Sequence, residues 1–409
     1  MNRSTWRIAW RSLWRNRRRT ALALAAIGLS VALVLLYDSV LRAYGDWMVE
    51  TITGPMLGHV QVHAPGWRRD RSMDRTIRGV PDLLAALRRD PAVAGATARV
   101  YAPALAARSE EGFTVVVLGI DPRLETGPAR LLTSDVPPIE GRRVLLGRAL
   151  ADQMGVHPGD TLAIVGQAAD GSTANDLYTV AGLAQTPLDL VNRQGVVMDL
   201  AEAQALFAMP GEAHEIVVHA VRPDDAARLA AALRGWPALS HLEVLDWRTL
   251  SPEMVSLVEI VQVAWVVVLG LVFVAAAAGV ANTMLMATFE RTREFGMLLA
   301  LGTAPARIVQ MILAESVALG AIGAVCGTAV AVALVAAVHS TGIDYATLTG
   351  GGPSELSFAG LHWSLRLYPT LAVVDVARAA AAVVITSIAA AAWPAIRVAR
   401  LQPAAALRA

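Results

Sequence analysis

Lysine is missing from this chain: of 409 residues 35 are basic, and every one of them is arginine. Without lysine there is no P-loop lysine to hold a phosphate and no amine to form a Schiff base. Cysteine is nearly missing as well. The single Cys326 lies inside an apolar run, so no disulfide can form within the chain, and each folded part depends on its own core. Charge is scarce, at 17% of residues, and balanced to a net +1, which gives no basis for a nucleic-acid partner. No G-x-S-x-G elbow, phosphate loop or dinucleotide fingerprint occurs, and nothing marks the chain as catalytic itself.

Apolar residues are abundant, at 55% of the chain, beyond the range of an ordinary soluble protein. They gather in four runs: Thr20 to Leu41, about 257–289, 308–338 and 371–396. At roughly 1.5 Å per residue, each is long enough for the ~30 Å hydrocarbon core of a bilayer. Ahead of the first run, Arg3, Arg7, Arg11 and Arg15 recur every fourth residue beside Trp6, Trp10 and Trp14. That spacing stacks guanidinium and indole stripes on a helix suited to the headgroup layer. The first run is too long for a signal-peptide core and lacks a nearby small-residue cleavage site, so it reads as an uncleaved span.

Arginines in short flanks orient the spans. Seven lie between Arg3 and Arg19, three in 290–307 and three after the last span, against Arg366 alone in 339–370. Both termini and the 290–307 loop are thus expected in the cytoplasm, and the long 43–254 segment outside.

Within 43–254, HVQVH at 59–63 alternates with the period of a half-buried strand. Leu83–Arg89 reads as a short helix ended by Pro91. Strands are expected at Thr97–Ala107, Phe113–Ile120, Asn175–Gly182, Gly195–Asp199 and Glu215–Ala220, with a helix at 223–234. VLLGRALADQMGVHPGDTLAIV, from Val144, reads as strand, helix, turn, strand and opens a second lobe. His214, Glu215 and His219 have the wrong spacing for a metalloprotease helix. His59 and His63 share a strand face but lie roughly 13 Å apart, too far to chelate one ion. No metal site is expected.

The stretch that organises the rest is NTMLMATFERTREFGMLLALG, 282–302. Glu290, Arg291, Arg293 and Glu294 interrupt the apolar run. Phe295, Leu298, Leu299 and Gly302 then fall on one helical face. Gly302 can end that helix in a left-handed conformation, with Thr303 as N-cap and Pro305 in the first turn of the next helix. Glu315, inside the third span, is a functional candidate as a proton relay, against snorkelling or pairing with an arginine of the adjacent loop, and the structural pairing is preferred. Asp375 and Arg378, three apart, are expected to pair with each other.

This segment with its continuation IVQMILAESVALGAIGAVCG resembles the signature of FtsX/MacB/LolC-type ABC transporter permeases. The tail WPAIRVARLQPAAALR and the N-terminal IAWRSLWRNRRRTALALAAIGLSVAL are similar to the same family. VVLGIDP and LLGRALADQMGVHPGDTLAI resemble its lipoprotein-releasing LolC/LolE branch.

The resemblance implies an α-helical integral membrane protein of the bacterial inner membrane, with four transmembrane helices and a large α+β extracytoplasmic domain of two lobes between the first two. Its parts are an interfacial helix at 1–19, spans at 20–42, 255–289, 308–338 and 371–396, the outer domain at 43–254, cytoplasmic segments at 290–307 and 397–409, and an outer loop at 339–370. It implies a dimer, homo- or heteromeric, with two copies of a separate ATPase that binds the ATP and magnesium; no cofactor is expected in the chain itself. Coupling to that ATPase is carried over to Glu290, Arg291, Arg293, Glu294, Phe295, Gly296, Leu298 and Leu301. Lipid-anchored substrates would enter between the first two spans, along Leu33, Leu36, Leu41, Met254, Leu257 and Val261. Extraction of a lipoprotein, efflux of peptides or antibiotics, and signalling to an outer cell-wall hydrolase all remain open at this point.

Overall fold

The computed structural model describes residues 17–108, 110–125, 131–132, 137–184, 186, 188–344, 355–358, 361–364 and 366–400. The arginine–tryptophan stripe at 1–16 lies outside the described residues. The chain divides into two compact units, one of 1–46, 257–344 and 366–409, the other of 47–256 and 345–365.

Helix α1 (Arg17–Ile52) runs well past the expected end of the first span. Nothing stops it before Gly54-Pro55, which lies in a π-turn at Thr53–Leu57. In chain order there follow β1 (Val60–His63), α2 (Val80–Leu87), β2 (Val93–Arg108), β3 (Glu111–Ile120), β4 (Arg143–Gly147), β5 (Thr161–Gln167), β6 (Thr173–Ala184), α3 (Asp189–Gln194), β7 (Gly195–Asp199), α4 (Leu200–Leu206), β8 (Glu215–Ala220), α5 (Ala226–Arg234) and β9 (Glu243–Asp246).

The strands order as β3-β7-β4-β6-β5-β2-β8-β1-β9, and β3 also pairs with β2. Six strands therefore close a ring, while β8, β1 and β9 extend from the N-terminal half of the 16-residue β2. Two sub-structures exist in this sense, but their membership corrects the expected division along the chain. β3 joins the ring through parallel pairing with β7, and β8 and β9 return to flank β1. Such pairings need long crossovers and leave no local mark in a sequence. They also correct the reading of β1 as half-buried. With a partner on each side and the sheet covered, all four of its residues are buried.

Alternation along β2 builds the core. Ala96, Ala98, Val100, Ala102, Ala104 and Ala106 face it, joined by Ile216 and Val218 of β8 and by Leu229 and Leu233 of α5. The other face of β2 carries Thr97, Arg99 and Tyr101.

After β9 come α6 (Pro252–Glu290), α7 (Thr292–Ala300), α8 (Pro305–Thr341) and α9 (Val373–Ala399). Helices α1, α6, α8 and α9 are long and apolar enough to cross a membrane. Their shared core includes Ile27, Val31 and Leu35 of α1, Met284 of α6, Leu319 of α8 and Val383 of α9. Small residues set the closest approach: a Cβ on Gly327 of α8 would meet the Gly28 carbonyl of α1 and lie 2.7 Å from the Val31 Cβ. Among the described residues helix α6 is largely bare of partners, with Ile260, Val263, Leu271 and Val274 exposed.

Candidate functional site

Helix α6 ends at Glu290, and Arg291 leaves the helical geometry with φ −107° and ψ 12°. Helix α7 runs to Ala300, and Gly302 turns the chain at φ 86°, the left-handed conformation expected of it. Pro305 opens α8 as expected. The expected N-cap is corrected: Ala304 holds that position, without a side-chain hydrogen bond, and Thr303 precedes it.

Arg291 ties this turn together. Its Nε donates to Glu294 at 3.1 Å, its Nη1 to Glu315 of α8 at 3.2 Å, and its guanidinium lies 5.1 Å from the Phe295 ring centroid. The expected partner of Glu315, an arginine of the adjacent loop, is Arg291.

Phe295 requires a correction. It and Leu298 are among the residues to which coupling with the ATPase was carried over, but Phe295 is 2% exposed, packed with Ile308 and Ile312 of α8 and Ala395 and Val398 of α9. Leu298 and Leu299 lie partly buried against the same cluster, and Gly296 is buried. The helical face was legible; its occupants are the chain's own membrane helices. The opposite edge is open, carrying Arg293, Met297 at 51% and Leu301 at 79% exposure, spaced four apart. Met297 was missed by sequence reasoning, although its i+4 position after Arg293 marks it. Glu290 is exposed and Glu294 half-buried.

Elsewhere among the membrane helices, the expected Asp375–Arg378 pair is secondary at 3.9 Å. Asp375 takes Arg42 of α1 at 2.5 Å instead, and Asp38 lies 3.9 Å from the same guanidinium. Of the expected entry wall, Leu33 is exposed and Leu36, Leu41, Leu257 and Val261 are half-buried. Met254 is buried, which removes it from a lipid-facing wall.

The β-rich unit holds a buried polar row that sequence reasoning missed. Register aligns His63 of β1, Glu215 of β8 and Arg99 of β2 on one sheet face. Arg99 binds both oxygens of Glu125 at 2.8 Å, donates to the Met56 carbonyl at 3.0 Å and lies 3.8 Å from Glu215. The Tyr101 hydroxyl donates to Glu215 at 3.2 Å. Burial alone would push Glu215 up, but His63, whose Nε2 lies 3.7 Å away, and then the Arg99 charge hold it below its ordinary pKa. Trp67 stacks on both His63 and His214, with ring centroids 5.5 and 5.6 Å away. Burial lowers the pKa of His214, whose Nδ1 accepts the Tyr101 backbone N–H. His219 packs edge-on against His59 at 5.5 Å. Breaking such a buried ion pair by removing one partner typically costs about 3–5 kcal/mol.

Residues 266–403 match the family model of the FtsX-like permease C-terminal, and residues 20–235 that of the MacB-like periplasmic core domain. The lipoprotein-releasing system transmembrane protein LolC of Xylella fastidiosa is 25% identical over 344 residues, 78% of each chain. LolC of Neisseria meningitidis is 23% identical over 196 residues, 47% of each. The crystal structure of the periplasmic region of MacB from Actinobacillus actinomycetemcomitans covers 51% of this chain and 97% of its own, at 13% identity and a TM-score of 0.37. With more than half its length matching the MacB-like core and its membrane helices from residue 266 matching the FtsX-like permease, the chain belongs to the ABC transporter permeases of the FtsX/MacB/LolC type.

Proposed function

We propose that this permease couples ATP hydrolysis on a separate ATPase subunit to extraction of a lipoprotein or other amphipathic substrate at the outer side of the bacterial inner membrane. The observation that carries the reading is α7. It is a short helix between two membrane helices, with one face locked to α8 and α9 and the other open as Arg293, Met297 and Leu301. A partner that pushes on the open edge moves α8 through the locked one, because Phe295 and the Arg291–Glu315 pair transmit the displacement. Glu290 and Glu294 lie at the N-terminal end of this edge and set its orientation, as charges at a rim do.

In this reading both termini and α7 are cytoplasmic, the β-rich domain is outside, and two permease copies carry two ATPase subunits. Leu33, Leu36, Leu41, Leu257 and Val261 contribute an apolar path for acyl chains. The preference for an amphipathic substrate rests on the LolC relatives and on how bare α6 is within the chain.

Affinity purification of the full chain from its own membranes, with mass spectrometry of what accompanies it, tests the proposal. One ABC ATPase subunit in equal amount and a bound lipoprotein are expected. An absence of any ATPase would overturn the coupling reading, and an unlipidated peptide as sole cargo would overturn the substrate class.

A further inference from the structure

The polar row of the β-rich domain borders a cavity of about 700 Å³, within the usual size of a small-molecule site. Its walls are mostly apolar, with Val116, Leu118, Leu131 and Val191 among them, and the lining residues Met56 and Leu190 are 45% and 59% exposed. Four arginines also line it, and their charges are not equally spent. Arg99 is satisfied by Glu125 and Glu215, and Arg193 by Asp189 at 2.8 Å.

Arg68 and Arg71 have no carboxylate within ion-pair reach among the described residues. Arg68 donates to the Leu250 carbonyl at 3.0 Å, and Arg71 lies over the Trp67 ring at 4.3 Å. Burial, and next the neighbouring charge of Arg71, hold the Arg68 guanidinium below its ordinary pKa, against the pull of Glu215 and Glu243. Arg71 caps the short helix Trp67–Asp70 at φ 51°, its backbone N–H donating to the Trp67 carbonyl at 2.7 Å. Two neighbouring cations with no carboxylate in ion-pair reach, beside an apolar hollow, are complementary to an anionic head on an apolar chain.

We infer that this cavity binds an amphipathic anion, its acyl chain against Val116, Leu118 and Val191 and its carboxylate or phosphate on Arg68 and Arg71. The site stands on the extracytoplasmic domain alone and is independent of whether an ATPase docks at α7. Guanidinium groups hold carboxylates and phosphates alike, since both present paired oxygens to the planar fork.

The test uses the full chain in lipid nanodiscs with photoreactive palmitate, irradiated and mapped by peptide mass spectrometry. Adducts are expected in the peptides carrying Val116–Leu118 and Leu190–Val191, competed by palmitate but not by cetyl alcohol. Lysophosphatidylglycerol tests the phosphate head: competition as strong as palmitate's assigns the site to phospholipid, and weaker competition to free fatty acid. Arg68→Gln with Arg71→Gln should cut cavity labelling about tenfold or more, the loss expected of a charge-assisted contact, while labelling of the membrane helices stays constant. Leu118→Trp, which fills the hollow and keeps both cations, should abolish the same adducts. Adducts confined to the membrane helices, or equal competition by cetyl alcohol on the wild-type chain, would overturn the proposal.

Discussion

Arg291, at the break between α6 and α7, lies 3.2 Å from Glu315, roughly three turns into α8, and so connects a loop residue to the interior of a membrane helix. The side chains are 17% and 10% exposed, so neither charge is well hydrated. Removing Glu315 takes one of two carboxylates from a poorly hydrated guanidinium, which keeps Glu294. Glu315→Leu should lower the apparent thermal stability of the purified permease, by about 1–3 kcal/mol, less than for a fully buried pair. Arg291→Met combined with Glu315→Leu should recover much of that loss. Additive losses in the double-mutant cycle would show that the pair does not hold the turn.

The two faces of α7 separate docking from folding. Met297→Asp and Leu301→Asp should leave the permease at wild-type stability yet strip it of the ATPase in pull-downs, because each puts a charge on the exposed apolar edge proposed above as the contact. Phe295→Ala should do something else. It empties a buried site against Ile308 and Ile312 and should destabilise the chain by about 3–5 kcal/mol. Full ATPase retention by both aspartate variants would remove this edge from the interface.

Helix α8 approaches α1 closely at Gly323 and Gly327. Gly327→Ala would press a methyl group onto the Gly28 carbonyl, and either helix must shift; overpacking of this kind costs about 1–3 kcal/mol. Gly279, which has no atom within 4 Å of its missing Cβ, is the control. Gly279→Ala should leave the melting temperature level or slightly raised, and equal melting of both variants would refute the close packing.

Acid should unfold the β-rich domain, and the direction follows from its histidines. Burial, then the charges of neighbouring His59 and Arg99, push His219 down to about 3, and burial lowers His59 and His214 as well. Below about pH 6.5 the unfolded chain takes up protons that the folded domain refuses, so stability is full above that pH and drains as pH falls. Glu215, held below its ordinary value, adds loss of the same sign below the usual carboxylate range. At about pH 5 His219 alone should account for about 2 kcal/mol. Denaturant unfolding of the full chain, followed by tryptophan fluorescence across this range, measures it; a flat profile from neutral pH to about pH 5 would contradict the buried neutral histidines.

Orientation is checked by cysteine labelling in a Cys326→Ala background. A cysteine at Ser172 should react with an impermeant thiol reagent in intact spheroplasts and one at Thr303 should not. The opposite pattern would reverse the topology read from the arginines.

The sequence by itself determined the elements and their local endings. A left-handed stop at Gly302 and a proline start at Pro305 are properties of neighbouring residues, and both are where they were expected, whereas the first helix continues past the end of its apolar run. The Arg291–Glu315 pair was legible for a related reason: a charge inside a span needs a partner, and the adjacent loop supplies arginine. Tertiary structure decided what covers each face. Periodicity grouped Phe295 with Leu298 correctly but could not say that α8 and α9 lie against them. It suggested Arg378 for Asp375 by helical spacing, whereas Arg42, 333 residues away in the chain, sits closer. The ring closed through β2 and β3, and with it the alignment of His63, Glu215 and Arg99, depends on pairings between distant segments. Those pairings are selected by the total burial of the domain, and no stretch of residues carries that quantity alone.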